Sequence, residues 1–455
     1  MTLVIPGVEV KVVKEVVAPQ LSPTGILGLT GLTEKIPAVL TPVGSWTAFI
    51  AAFGAASAYS LPEAYQAIAN GVAELVVSPV AAGDAQAAAA AADVSAETGM
   101  APAVHVTARA RGLWGNALSV AVSVRTLLDA TKVADIQVTG AGGAVLEVMK
   151  NLPVGPGAPP LDAAINERSI LLRASAAVKD GIPKAGAYPL TGGADASPAG
   201  YRDALAVLEN DPDIDMVIAG IQDFGKPAQV AAIYSDVIGH CNRMSTGSHG
   251  RLGFGQVDTA GTIPSWITLA DNLRSERFVL LAPNGVAGAV AGMIGGLDYF
   301  QSPTFKTATG LTQLSRVLTV EEQKQLLQAS IVPVANQRGR GTIVLRGLTT
   351  DGDQISVRRV ADHAVRGVKM IGDLFIGRLN NADGRGALQE KLREFLVQME
   401  REGAIVPSTD GKEPAYMVAV HSSQDDFSKG IVRVDMAVRP VRAIDFIYAT
   451  VLVQA

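Results

Sequence analysis

The chain has 455 residues, 48% of them hydrophobic and 18% charged, with a net charge of −5. That length supports two to four domains, and so apolar a composition must bury a large area within or between subunits. The negative balance and 5% aromatic content argue against a nucleic-acid or anionic-membrane partner, and the single cysteine, Cys241, excludes an intrachain disulfide or multi-thiolate metal site.

The opening Met1 to Gly7 lacks the basic and long apolar regions of a signal peptide. The most apolar run, Gly285 to Leu297, is about two-thirds of the ~20 residues a membrane span requires. Neither secretion nor membrane insertion is expected, and folding in a reducing cytoplasm is the simplest reading. Val8, Val10 and Val12 then alternate with Glu9 and Lys11, the period of a strand with one face to bury. With no hairpin neighbour, this strand must pair with something distant or with another chain.

Leu61 to Val77 reads as a helix stopped at Asn70-Gly71 and followed by a strand from Glu74. The alanine-rich stretch Ala81 to Glu97 predicts a helix, alanine having the best helix propensity. His105 to about Leu190 holds short strands with Gly-rich turns, a pattern that predicts a small β-sandwich. From Asp203 to about Leu348 helices alternate with apolar runs such as Met216 to Gly220 and Phe278 to Ala282, the signature of parallel strands covered on both faces. Further on, Val360 to Leu379 predicts a helix, and Ala387 to Glu402 a second one with a stripe of Leu388, Leu392, Phe395, Leu396 and Met399. Strands are expected at Tyr416 to Val420, Ile431 to Val438 and Ile444 to Val453. The fold class is therefore α/β and β multidomain. Its divisions are an arm over 1–20, an α/β segment over 21–103, a β-sandwich insertion over 104–195, an α/β domain over 196–348, a mixed α/β domain over 349–442 and a terminal arm strand over 443–455.

No catalytic constellation emerges. His105, His240, His249, His363 and His421 share no metal-ligand spacing. His240 beside Cys241 invites a nucleophile reading, against which stands a helix end packed on the sheet. Gly247-Ser248-His249-Gly250 lacks the spacing of a nucleophile elbow. Thr139 to Gly143 joins two strands, so no helix N-terminus backs it as in a dinucleotide loop. The acidic run Glu209, Asp211, Asp213, Asp215 reads as a solvated turn before a strand rather than a calcium loop.

Several segments, in order, resemble the tail sheath proteins of contractile phages and related injection systems. Pro6-Gly7-Val8-Glu9-Val10 is similar to the family's N-terminal "PGV" strand, and Ile68-Ala69-Asn70-Gly71 with Leu75-Val76-Val77 resembles its "NGG…vvRV" element, with Val72 and Ser78 departing from the pattern. Gly112-Leu113-Trp114-Gly115-Asn116-Ala117-Leu118-Ser119-Val120 is the most specific match, to the "G-x-WGN-x-L-x-V" entry into a β-sandwich insertion. Ala282 to Gly285 resembles "aPAN" with a residue missing, Phe395-Leu396 to Ile405 resembles "fL…GAL", and Pro440 to Ile447 resembles the closing "P…aefI" strand.

The resemblance implies a subtilisin-like domain over 203–348, non-catalytic here because no Ser/His/Asp set is readable. The residues themselves point to no cofactor or metal, and the resemblance implies hexameric rings of this chain stacked around an inner tube protein between baseplate and cap proteins. The particle would be a phage or phage-tail-like machine built in the cytoplasm of the producing cell. Val8, Val10 and Val12 at one end and Phe446, Tyr448, Thr450 and Leu452 at the other would pair with neighbouring subunits. Arg338 and Arg340, or Lys391 and Arg393, are candidates to face the tube. The competing readings are an α/β hydrolase-like or nucleotide-binding enzyme with a β-sandwich, and a secreted adhesin or surface-layer subunit.

Overall fold

A computed structural model describes residues 24–98, 101–176 and 181–449. The expected N-terminal strand with Val8, Val10 and Val12, and the outer positions Thr450 and Leu452, lie outside the described residues.

The described chain opens with β1 (Ile26–Gly31), six buried residues in a row. Next come β2 (Thr41–Val43), α1 (Trp46–Phe53), capped by the Ser45 side chain, α2 (Ser57–Ser60), α3 (Pro62–Ala69) and β3 (Glu74–Pro79). The stop at Asn70-Gly71 is as the sequence implied, with Gly71 at φ +94°, a value glycine adopts freely.

An all-antiparallel unit follows: β4 (Ala91–Ser95), β5 (Pro102–Ala108), β6 (Ser119–Thr126), β7 (Lys132–Thr139), β8 (Val145–Val154), α4 (Leu161–Arg168), β9 (Leu172–Ala176) and β10 (Gly186–Pro189). Its two sheets, ordered β4-β5-β9 and β10-β6-β7-β8, close on one core that includes Val94, Val104, Val106, Val120, Ile136 and Leu152. The helix expected over Ala81 to Glu97 is not there; the alanine run leads into β4, paired with β5 through Ala91↔Thr107 and Val94↔Val104. The small methyl groups serve close approach instead. A Cβ on Gly115 would lie 2.9 Å from the Ala90 Cβ and 3.0 Å from the Ala108 Cβ. Helix propensity of a few tenths of a kcal/mol per residue loses to that packing and to ladder hydrogen bonds.

The chain then returns to the first sheet through α5 (Pro198–Val207), β11 (Met216–Ala219), α6 (Pro227–Thr246), β12 (Leu252–Gln256), α7 (Ile263–Asn272), β13 (Phe278–Ala282), α8 (Ala287–Gly295), α9 (Val320–Gln328), β14 (Val332–Gln337) and β15 (Gly341–Val344). The eight strands run β15-β14-β13-β12-β11-β1-β3-β2, parallel except for β2 and β15 at the edges. Strands β1 to β3 and β11 to β15, placed in separate domains by the sequence reading, thus build one sheet, with β1 bonded to β11 through Leu27↔Met216, while β4, assigned to the first of those domains, belongs to the antiparallel unit. α8 is buried all round. Cβ atoms on Gly288 and Gly292 would sit 2.5 and 2.4 Å from the Glu63 and Ala67 carbonyl oxygens of α3, so only glycine lets the two helices touch.

The last module contains α10 (Ile355–Asp373), α11 (Ala382–Arg401), β16 (Tyr416–His421), α12 (Gln424–Ser428) and β17 (Arg433–Val438). Val360, Ala364 and Ile371 of α10 pack on Leu388, Leu392, Phe395, Leu396 and Met399 of α11, the stripe read from the sequence. α10 is displaced from the expected 360–379: Gln354 starts it five residues earlier, and turns ending in Gly377 at φ +82° replace its last stretch. The fold is a mixed α/β, multidomain one with several sheets.

Candidate functional site

Open α/β sheets hold ligands at the carboxyl ends of their strands, where the strand order reverses. Here that point lies between β1 and β11, and protein fills it. A Cβ on Gly31 or Gly220 would come within 2.4 or 2.3 Å of the Leu61 Cδ1. Beside Leu61, Asp195 accepts hydrogen bonds from the backbone N–H groups of Gln222 (2.7 Å) and Asp223 (2.9 Å) and from the Tyr201 hydroxyl (2.8 Å). The Gly220 carbonyl also lies 2.8 Å from that hydroxyl, sharing its single proton with Asp195. The buried carboxyl of Glu63 is pushed up to about 7, first by desolvation and then by the Asp195 charge. These groups brace the β11–α6 loop, and the Leu61 side chain packs against Gly31 and Gly220 at this point.

His240 and Cys241 both lie on the buried face of α6. Burial pushes the thiol up to about 12, and burial with the nearby Arg251 guanidinium pushes the imidazole down to about 4. The thiolate and the imidazolium are both suppressed near neutrality, as in a packed core. The acidic run differs from the solvated turn expected. Asp215 is largely buried and accepts from the N–H groups of Gly25 (3.0 Å) and Ile26 (2.8 Å), starting β1, while Glu209 pairs with Arg243 at 2.9 Å. Among the described residues no group of three or more His, Cys, Asp or Glu is placed to hold a metal ion.

The edges of the molecule are more open. β16 and β17 form a sheet of only two strands, bonded from Tyr416↔Val438 to His421↔Arg433. An isolated pair of strands is marginal in water, and among the described residues no third strand joins this sheet; the bond from Val406 N–H to the Arg439 carbonyl and the bridge Ile405↔Pro440 flank its end. Beyond it, Ile444 to Ala449 joins no ladder among the described residues, although a strand was expected there. Ile447 and Tyr448 are 84% and 94% exposed. Phe446 lies under the Arg346 guanidinium, 5.1 Å from ring centre to Cζ. Arg338 and Arg340 are exposed on the β14–β15 hairpin, Arg340 over the Phe305 ring. Lys391 and Arg393 stand on α11 beside Glu394 (2.6 Å) and Glu390 (3.6 Å). The four basic residues thus lie on two elements of different modules.

The phage tail sheath protein central domain model matches residues 194–350, and the phage tail sheath C-terminal domain model matches residues 349–454, together more than half of the chain. The chain belongs to the phage tail sheath family. Solved structures share this sheath fold over nearly the whole length. The sheath tail protein of Desulfitobacterium hafniense is 17% identical, over 96% of this chain and 97% of that one, with a TM-score of 0.54. The helical sheath of the anti-feeding prophage in its contracted state is 15% identical, over 99% of both chains, at 0.56. The contracted sheath complex of the extracellular contractile injection system PVC is 12% identical, over 99% and 98%, at 0.57. No curated protein matches the chain. No helix among the described residues of this sheath protein is long and apolar enough to cross a membrane.

The two matched sheath domains meet at residues 349–350, just before α10, and buried charge fastens them together. Arg277 holds Asp362 through two bonds of 2.9 and 3.0 Å, and Arg358 adds a third at 2.9 Å. Gly250 makes room: a Cβ there would lie 2.4 Å from the Asp362 Cγ. Arg366 donates to the carbonyls of Pro212, Asp213, Ile214 and Gly250, at the amino ends of β11 and β12. His363 stacks on Tyr299 at 3.8 Å, and the Tyr299 hydroxyl donates to Glu402 at 2.7 Å. Burial pushes His363 down to about 4. Sequence reasoning did not single out these residues. The signal was present in Arg359, Asp362, His363 and Arg366, which recur at the helical spacing of the apolar Val360 and Ala364.

Proposed function

We propose that this protein is a structural, non-enzymatic sheath subunit that stacks as hexameric rings around an inner tube, grows from a baseplate to a cap, and contracts to drive the tube through a target envelope. One observation carries the reading: among the described residues the chain presents a sheet of two strands that no third strand joins and, beyond it, an exposed segment with Ile447 and Tyr448. Adding the tail of one copy to the hairpin edge of another satisfies backbone groups and buries alternate side chains. Tyr448, Thr450 and Leu452 would be the added side chains, with Val8, Val10 and Val12 in the same role at the other end. On this reading the doubly wound sheet is the family's subtilisin-like domain without a catalytic set, and the two-sheet unit is its β-sandwich insertion. The Leu61-filled crevice supports a structural role over the enzymatic alternative.

Contraction requires two packings of the same rings, a trapped extended one and a shorter one that buries more surface. At roughly 25 cal/mol per Å² of apolar area, a modest gain in contact drives the change without a nucleotide. Contacts to the tube from Arg338, Arg340, Lys391 or Arg393 would be exposed and individually weak, which suits a face that must slide. The subunits would be made in the producing cell's cytoplasm and assembled into a phage or phage-tail-like particle, with no nucleic-acid partner and no membrane insertion. Negative-stain microscopy tests the proposal: the purified full chain forms wide, hollow, helical tubes, and a chain lacking Ile447 to Ala455 folds but stays as single subunits. Tubes of normal width and contractility from the shortened chain would overturn the arm exchange.

A further inference from the structure

We infer that a polar clamp fixes the root of the C-terminal arm to the seam between the two sheath modules, so that the segment free to reach a neighbour begins at Ile447. The inference rests on the proposed exchange of arms. The last backbone ties of the C-terminal module are the bridge Ile405↔Pro440 and the bond from Val441 N–H to the Ala404 carbonyl, 2.9 Å. From there the chain crosses to residues 346–354. Arg442 pairs with Asp353 at 2.8 Å. The Gln354 amide holds both backbone groups of Ala443, accepting its N–H at 3.0 Å and donating to its carbonyl at 3.1 Å. Asp445 then accepts from Arg346 Nε and Gln354 Nε2, both at 2.8 Å, and from the Thr304 hydroxyl at 3.4 Å.

The exposure pattern agrees with a clamp. The Asp445 side chain is only 6% exposed, although Ile444 and Phe446 on either side of it point into solvent. The segment is extended and alternating like a strand, yet side chains hold it where a ladder would. Charge-assisted bonds at a mostly buried carboxylate are stronger than exposed surface pairs. The anchors also sit on both modules: Arg346 follows β15, and Gln354 is the residue that starts α10. A pull on the arm therefore acts on the parallel sheet and on α10 together. With the clamp released, the free arm would start at Arg442 instead, five residues earlier. That adds about 16 Å of slack at ~3.3 Å per residue.

Spin labels at Gln325→Cys on α9 and Tyr448→Cys on the arm, in the full chain, read the clamp directly, since buried Cys241 does not compete for the label. The distance distribution is expected to be narrow, to become at least twofold broader with Asp445→Ala, and to narrow again in the charge-exchanged pair Arg346→Asp with Asp445→Arg. Equal widths with and without Asp445→Ala would overturn the clamp. In assembled tubes, Asp445→Ala is expected to give a wider spread of ring-to-ring rise, and a rise as uniform as that of the parent chain would also overturn it. Deletion of Ile447 to Ala455 decides the arm exchange separately, because the distance measurement on single subunits does not depend on assembly.

Discussion

Glu63 sits in the first turn of α3, where the helix dipole favours a carboxylate by about 1 kcal/mol at most. Desolvation outweighs that and lifts the group to about 7 from 4.5. Between those values the folded chain keeps a proton that the unfolded chain releases, so the contribution is full below pH 4.5 and is lost as pH rises through 7. The difference corresponds to about 3 kcal/mol. His240 and His363, both pushed down to about 4 from 6.5, act in the opposite sense: their contribution is present above 6.5 and is lost as pH falls toward 4. Urea midpoints of the single subunit are therefore expected to peak near pH 6. Glu63→Gln should flatten the alkaline limb and steepen the acid limb, since Glu63 and the histidines oppose each other between pH 4.5 and 6.5. An alkaline limb equally steep in Glu63→Gln would remove the assignment to this carboxyl.

At the scale of elements, α10 carries three buried charges, Arg359, Asp362 and Arg366, and the loss of one should be felt across the joint. Asp362→Ala leaves Arg277 and Arg358 with the half-exposed Glu276 as their remaining carboxylate partner, and should cost up to about 3 kcal/mol, the low end for breaking a buried pair. Asp362→Asn keeps the shape but not the charge and should cost less. Denaturant melts of both variants, with the parent chain, check the order; an Asp362→Ala loss under about 1 kcal/mol would mean that the joint does not depend on this ion pair. Elements differ in how plainly the sequence announces them. α11 was legible because its stripe repeats at one helical face. β4 was not, because alanine favours a helix locally but fits a tight sheet equally well once Gly115 lies against it. The place of β1 inside the sheet was not legible, since its partner β11 is about 190 residues away and no local pattern encodes that pairing. The joint was missed because charged residues were read as solvated by default.

At the scale of the whole molecule, the proposed arm exchange would be a heterologous contact: each copy would give a tail and receive one, so the interface would propagate instead of closing on a pair. A copy without Ile447 to Ala455 still carries the β16–β17 edge. It can accept a neighbour's tail but gives none onward, and it should poison growth at low proportion. If about one subunit in ten is shortened, roughly half of six-membered rings contain at least one such copy. Mixing shortened and full chains before assembly is therefore expected to shorten tubes steeply with the shortened fraction, as measured by length distributions in negative stain. If the tail instead paired back onto its own chain, shortened copies would enter the lattice without penalty, and tube length would not change with their proportion. The mixture separates donation between copies from self-pairing because both ends of the exchange stay in one molecule and only the donor is removed.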